Sequence, residues 1–287
     1  MFFPLDKYEE IKAGRRNTLQ IFITNRCNLN CIGCFAKKVM KEKQKDITIK
    51  EYSWAVNEFL KKGGGQINLL GGEPLMHPRL REIIEINKKR KIKTTIYTNG
   101  IMLPNFGEKD LQGVKLRVSI YCKNKGIKSA VKLPKTSSKI EVCYMISKKT
   151  SLKEMLASAY HIEKNHNCNV FFISSIRELD NKNKEFFEDT DLTMNLLRYK
   201  RIVHEFLKEY KGNMQIHISK RGVFESTKNL AENKCRFANY FIGKKIIQCP
   251  YDTINLKFQK SYEFNKRHCQ HNNTCLMSKI ILRKIDR

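Results

Sequence analysis

Acidic residues are scarce in this chain: 28 Asp and Glu stand against 56 Lys and Arg, leaving a net charge of +28. Also missing is any uncharged apolar run approaching the roughly 20 residues that span a bilayer, which argues against a membrane helix. The first residues, Met1-Phe2-Phe3-Pro4-Leu5-Asp6, lack the basic segment and the apolar length of a secretory signal. A cytoplasmic protein with no membrane contact is therefore expected. Global disorder is not implied, because 41% hydrophobic and 10% aromatic residues can build a sizeable core. At 287 residues the chain sits at the upper end for one core, about 250–300 residues, so one large domain or a domain with an appendage is expected.

The excess of cations raises a nucleic-acid reading, since clustered Lys and Arg neutralise phosphates. An AT-rich coding bias is the plainer source, although such a bias should also have raised Glu. Nucleic acid stays open as a partner but is not favoured. Charge speaks to partners rather than to fold.

Ten cysteines carry more information. In a cytosolic chain they point to metal or redox chemistry rather than to disulfides. Cys122, Cys143 and Cys168 stand alone in or beside apolar runs and read as small core residues. Cys27, Cys31 and Cys34 fall within eight residues as C-x3-C-x2-C. Three thiolates from one loop can hold three corners of a [4Fe–4S] cluster and leave one iron open to an outside molecule. Zinc is the structural alternative, but it favours paired C-x2-C knuckles with a second pair nearby.

Along the chain, strand-like and helical segments alternate. Strands are expected at Thr18–Thr24, Ile67–Leu70, Lys91–Thr98, Val114–Tyr121, Ile140–Ile146 and Val170–Ile176. Helices are expected over Thr48–Lys62, around Leu80–Asn87, and over Ser151–Asn165 and Leu192–Tyr210. Thr48 is the expected N-cap of the first, with Glu51 completing a capping box and Gly63-Gly64-Gly65 as its stop. Short or irregular connections fit equally well after the third and fourth strands. The alternation implies an α/β fold with a parallel sheet, here a partial (β/α)6 TIM-like barrel. Such barrels carry their chemistry on the loops after the strands. The cysteine triplet, Gly71-Gly72-Glu73-Pro74 and Thr98-Asn99-Gly100 all fall there.

From Thr18 to Ile176 the sequence resembles the radical S-adenosylmethionine (radical SAM) superfamily. The resemblance rests on the three cysteines, on Gly71-Gly72-Glu73-Pro74-Leu75 and on Thr98-Asn99-Gly100. It implies that Cys27, Cys31 and Cys34 ligate a [4Fe–4S] cluster whose open iron chelates S-adenosylmethionine. It also implies that Glu73 and the backbone at Gly71, Gly72 and Pro74 receive the cofactor's amino group, with Asn99 and Ser119 nearby. The implied chemistry is reductive cleavage to a 5′-deoxyadenosyl radical that abstracts a substrate hydrogen, fed by a donor such as flavodoxin or ferredoxin. Relatives often place an aromatic just before the third cysteine; here that position is Gly33, and Phe35 follows as the candidate adenine contact. Period-two alternation puts Arg117, Ser119 and Tyr121 on one face of the fourth strand, expected to line the lumen. Tyr121 reads either as a substrate contact or hydrogen donor, or as a packed aromatic. No catalytic acid or base stands out.

Beyond Tyr210 the pattern changes. Asn239 to Pro250 reads as a hairpin around Gly243-Lys244, with Cys235 before it, Cys249 at its end, and Cys269 and Cys275 following. The four cysteines resemble the auxiliary-cluster extensions called SPASM or twitch domains, which implies a second [4Fe–4S] cluster. A zinc site with His268 or His271 is the alternative. The expected division is a barrel over residues 1–212 and a Cys-rich extension over 213–287.

Relatives with such extensions often modify ribosomally made peptides or proteins. That makes an acidic peptide or protein the first expected substrate. Only about 17 residues precede the first strand, too few for a fused leader-recognition domain, so recognition is expected from a separate partner or from the barrel itself. The alternatives are a small-molecule dehydrogenase of sugar-alcohol type and an RNA-modifying enzyme. A non-catalytic regulator is disfavoured, since it has no use for Gly-Gly-Glu-Pro.

Overall fold

The computed structural model describes residues 8–11, 17–31, 34, 45–121, 140–175, 194, 196–219, 237–240, 242, 246–247 and 279–282. Seven strands run parallel and pair in chain order: β2 (Asn17–Thr24), β3 (Gly64–Gly71), β4 (Lys93–Thr98), β5 (Lys115–Tyr121), β6 (Ile140–Ile146), β7 (Cys168–Ser175) and β8 (Gln215–Ser219). Between them lie α1 (Ile49–Lys61), α2 (Leu80–Lys89), the single turn α3 (Glu108–Leu111), α4 (Leu152–Asn165) and α5 (Leu196–Glu209). The sheet does not close. On its β2 edge β9 (Phe237–Tyr240) adds in parallel and pairs antiparallel with β10 (Ile246–Ile247). On the β8 edge β11 (Lys279–Leu282) and β1 (Tyr8–Ile11) add antiparallel.

The two faces of the sheet differ in chemistry. Leu19, Ile21, Ile67, Ile96, Val118, Val142 and Phe171 form part of a continuous apolar core with the buried stripes of the helices, such as Tyr52, Val56 and Phe59 of α1 and Val203 and Phe206 of α5. The alternate positions of the same strands carry Gln20, Asn68, Thr95, Arg117, Glu141 and His217, all buried. An alternation that puts mostly polar residues on one face, with Val170 and Phe172 of β7 among them, suits a barrel lumen.

Several sequence expectations change. A seventh parallel strand, Gln215–Ser219, extends the six-unit reading, and the sheet draws β8 and β11 from beyond residue 212. The glycine run does not merely stop α1. Gly63, with φ +74°, makes the turn, and β3 already begins at Gly64. Thr48 caps α1 by accepting the Glu51 N–H at 3.1 Å, while the Glu51 carboxylate accepts the Tyr240 hydroxyl. The connection after β4 is a 3-10 turn and the short α3. β9 and β10 pair antiparallel, Ile246 with Tyr240 and Ile247 with Asn239, while Gly243 and Lys244 lie outside the described residues. Among the described residues no helix is long and apolar enough to cross a membrane.

One buried polar chain joins α1, α2 and β4. The Tyr52 hydroxyl donates to Asn87 Oδ1 at 2.8 Å, and Asn87 Nδ2 donates to Thr94 Oγ1 at 3.1 Å. Removing the hydroxyl strands a buried amide oxygen, so Tyr52→Phe should cost about 1–3 kcal/mol. Denaturant titration checks this; an unchanged midpoint would show that the hydroxyl carries no stability.

Candidate active site at the strand ends

Three chain segments meet at the carboxyl ends of β2, β3 and β4. The first is the loop that leaves β2 at Thr24 and carries Cys27, Cys31 and Cys34, each half-buried. The second is the turn Gly71-Gly72-Glu73, which leads into a 3-10 turn over Pro74–Met76. The third is Thr98-Asn99-Gly100.

Backbone contact joins the first two. The Gly72 N–H donates to the Thr24 carbonyl at 2.8 Å and the Glu73 N–H to the Arg26 carbonyl at 2.8 Å. Side chains cannot fit there. A Cβ on Gly71 (φ +152°) would lie 2.2 Å from the Thr24 oxygen, and one on Gly72 would lie 2.2 Å from the Arg26 oxygen and 2.9 Å from Cys27 Cβ. The two glycines are required by this close approach of backbone to backbone.

Glu73 ties in the third segment. It is buried, and its carboxylate accepts hydrogen bonds from Leu75 N–H (3.0 Å), the Thr98 hydroxyl (2.7 Å) and Asn99 N–H (2.7 Å). Burial raises its carboxyl above the usual carboxylate range, against the downward pull of those three donors. Asn99 closes the triangle: its Nδ2 donates to Asn28 Oδ1 at 2.7 Å, inside the cysteine loop.

A second set of contacts straps the cysteine loop from outside. Arg26 donates from Nε to Asp46 at 3.1 Å, ion-pairs with it at 2.8 Å, and donates from Nη2 to the Met76 carbonyl at 2.8 Å. Asp46 also accepts the Thr24 hydroxyl at 2.7 Å. Neither the Arg26–Asp46 pair nor the parts of Thr98 and Asn28 were singled out in the sequence. Their partners lie 20 or more residues away, and only the strand ends bring them together.

The three thiols share one loop directly beside the glycine turn. Among the described residues no three His, Cys, Asp or Glu side chains are gathered in metal-binding geometry. The chemistry of the donor set nevertheless fits an iron–sulfur cluster. Three soft ligands sit on an accessible loop, and Gly72 leaves room for the backbone against Cys27. Cys27 Sγ accepts the Leu29 N–H at 3.4 Å, and partial burial raises its thiol. Phe35, Cys122, Cys235, Cys249, Cys269 and Cys275 lie outside the described residues.

Further down the lumen, Ser119 is half-buried and pairs in register with Cys143. Below it the Arg117 guanidinium donates to Glu141 from Nε (3.0 Å) and Nη2, and from Nη1 to the Tyr97 hydroxyl (2.7 Å). It lies 4.8 Å from the Tyr97 ring centroid and 5.9 Å from that of Phe172. Lys115 also pairs with Glu141. These cations hold the Glu141 carboxyl below its usual range despite its burial. Cys143, on the same face, has its thiol pushed up to about 11 by burial. Cys168 is a buried core residue, as expected.

Residues 21–115 match the family model for the radical SAM superfamily. Over 100 residues the chain is 38% identical to a probable GTP 3′,8-cyclase of Methanocaldococcus jannaschii, which is 34% of each protein. Over 116 residues it is 33% identical to the GTP 3′,8-cyclase of Alkaliphilus oremlandii, covering 39% of this chain and 36% of that one. The chain thus matches only about a third of the length of these curated relatives. In fold it is similar to Streptococcus suis SuiB, with TM-score 0.66 and 16% identity over 86% of this chain and 63% of that one. SuiB has also been solved with its precursor peptide SuiA. At that identity the likeness shows the fold alone. The expectation of a peptide or protein substrate is corrected by the sequence relatives, which are named for GTP, a small molecule.

Gly72 gives a sharp test of the site's construction. Gly72→Ala should force the turn away from Arg26 and abolish detectable S-adenosylmethionine binding, whereas Gly107→Ala, whose nearest neighbour is 3.8 Å away, should not. Calorimetric titration of both reconstituted variants checks this, and full binding by Gly72→Ala would contradict the close-approach account.

Proposed function

The chain carries a radical SAM domain, and from that premise we propose that it cleaves S-adenosylmethionine reductively and abstracts a hydrogen atom from a small-molecule substrate. The observation that carries the reading is the triangle of strand ends, in which the cysteine loop, the glycine turn and Asn99 are hydrogen-bonded to one another. When bound, the cluster and cofactor supply a low-potential electron and a hydrogen-abstracting 5′-deoxyadenosyl group. Cys27, Cys31 and Cys34 would hold the cluster.

The carbonyls of the Gly71–Gly72–Glu73 turn would receive the cofactor's ammonium. Glu73 supports the turn through its three donors rather than offering a free carboxylate. Pro74, with φ fixed by its ring, starts the 3-10 turn that holds Glu73 in place. Asn99 and Ser119 would line the space between cofactor and lumen, and Phe35 would contact adenine. The lumen walls orient the substrate and keep water from the reacting atoms.

For the substrate, a purine nucleoside triphosphate is the first candidate. The similarity to GTP 3′,8-cyclases over about a third of the chain supports it, as does the strongly basic composition. Cys235, Cys249, Cys269 and Cys275, all beyond β8, are proposed to hold a second [4Fe–4S] cluster. Cys235 and Cys249 flank the β9–β10 hairpin in sequence, which supports that reading. A flavodoxin- or ferredoxin-type protein would deliver the electron.

Anaerobic reconstitution should give roughly eight iron atoms per chain, and the Cys27/Cys31/Cys34→Ala variant should keep about half. With dithionite and S-adenosylmethionine, wild type should release 5′-deoxyadenosine, faster with GTP present, and the triple variant should release none. Absence of 5′-deoxyadenosine from wild type would overturn the enzymatic reading. Release that no nucleotide accelerates would overturn the substrate class.

A further inference from the structure

The lumen floor contains polar valences that the protein itself leaves open. A guanidinium has five N–H bonds, and Arg117 uses three, two toward Glu141 and one toward Tyr97. Two remain on a side chain that is only 10% exposed. His217 of β8 reaches the same face from the far side of Glu141. Its Nε2 pairs with Gln215 Oε1 at 3.0 Å, so the ring carries its proton there and Nδ1 is an acceptor. That Nδ1 is buried and has no partner. A buried acceptor left unsatisfied costs on the order of 1–3 kcal/mol, and the spare N–H bonds of Arg117 lie on the same sheet face as this one.

The charge balance points the same way. A purely structural ion pair needs one cation for one anion. Among the described residues, Lys115 and Arg117 both pair with the carboxylate of Glu141, two cations against one anion. His217 does not alter this near neutral pH, because burial holds its ring down at about 4 in spite of Glu141. Arg117 is also preorganised. The Tyr97 ring lies 4.8 Å from its guanidinium carbon, Phe172 lies 5.9 Å away, and Glu141 fixes the fork in plane. Preorganised, partly desolvated guanidinium groups are suited to bidentate oxyanion recognition.

We propose that Arg117 is a specificity-determining residue of the lumen: it binds an oxyanion of the substrate, phosphate or carboxylate, while His217 Nδ1 accepts a hydrogen bond from the same molecule. Arg117 stands opposite Tyr97, the residue before Thr98 in β4, and two residues (about 7 Å) before Ser119 on its own strand. An anion held there anchors one end of a small molecule below the strand-end triangle and leaves its other end directed toward the cysteine loop. Glu141 is a competitor that holds the fork ready and sets how tightly the anion binds. The inference rests on the lumen being the substrate cavity.

Calorimetric titration of the reconstituted full chain with inorganic phosphate and, separately, with acetate tests it. High salt suppresses the surface lysines. Arg117→Gln should weaken binding at least tenfold. Glu141→Gln should tighten it several-fold, because Arg117 loses its competing carboxylate. If Arg117→Gln does not fold, the Glu141→Gln arm decides alone: tighter binding supports the proposal, and unchanged or weaker binding overturns it. Equal affinity in wild type and both variants also overturns it, locating the anion on the general basic surface. The preferred probe assigns phosphate or carboxylate. Because no turnover is needed, failure here is distinguishable from failure of the radical chemistry, which 5′-deoxyadenosine release reports.

Discussion

The approach of the Gly71–Gly72 backbone to the end of β2 is the contact on which the rest of the site depends. Two 2.8 Å hydrogen bonds, from Gly72 to Thr24 and from Glu73 to Arg26, are possible only because neither glycine carries a side chain. Once that turn is docked, Glu73 is buried in a position to accept from Thr98 and Asn99, which recruits the end of β4. Asn99 then reaches back to Asn28 in the cysteine loop. Three loops that would be independently mobile become one hydrogen-bonded unit, which is what a site needing fixed reacting geometry requires.

The sheet supplies the second constraint. Its outer face is apolar and packed under α1, α2, α4 and α5, so side-chain register is fixed strongly on that side. The inner face inherits the alternate positions, and these are polar: Gln20, Asn68, Arg117, Glu141 and His217. Burying such groups without partners is costly, and most are paired within the lumen. Among the described lumen residues, His217 Nδ1 is unpartnered, and it lies on the same face as the spare N–H bonds of Arg117, where a ligand has something to gain.

Much of this was legible in the sequence. Six strands were readable because their apolar residues are β-branched or aromatic and sit on the core face, and Ile140–Ile146 was placed with its observed ends. The strand-end motifs were readable because cysteine and glycine are rare and spaced by function. The seventh strand was not: Gln215-Ile-His-Ile-Ser219 has only two apolar residues, since its lumen face is polar and its length is five. Gly64 reads locally as a helix stop because the glycine run's signal hides the pairing of Asn17 with Gly64. The partners of Glu73, Thr98 and Asn99, lie 25 and 26 residues on, beyond any local pattern. The peptide substrate was inferred from the tail and the charge. The sequence relatives, matched over about a third of the chain, are instead named for GTP, a small molecule.

The central claim is that the loop of Cys27, Cys31 and Cys34 and the glycine turn form one site, with an open iron at the cysteines and a cofactor seat beside them. Electron paramagnetic resonance of the reduced, reconstituted protein tests this most directly. A [4Fe–4S]+ signal whose line shape changes on addition of S-adenosylmethionine is predicted for wild type, with the change lost in Gly72→Ala. A cluster signal indifferent to S-adenosylmethionine in wild type would contradict the account.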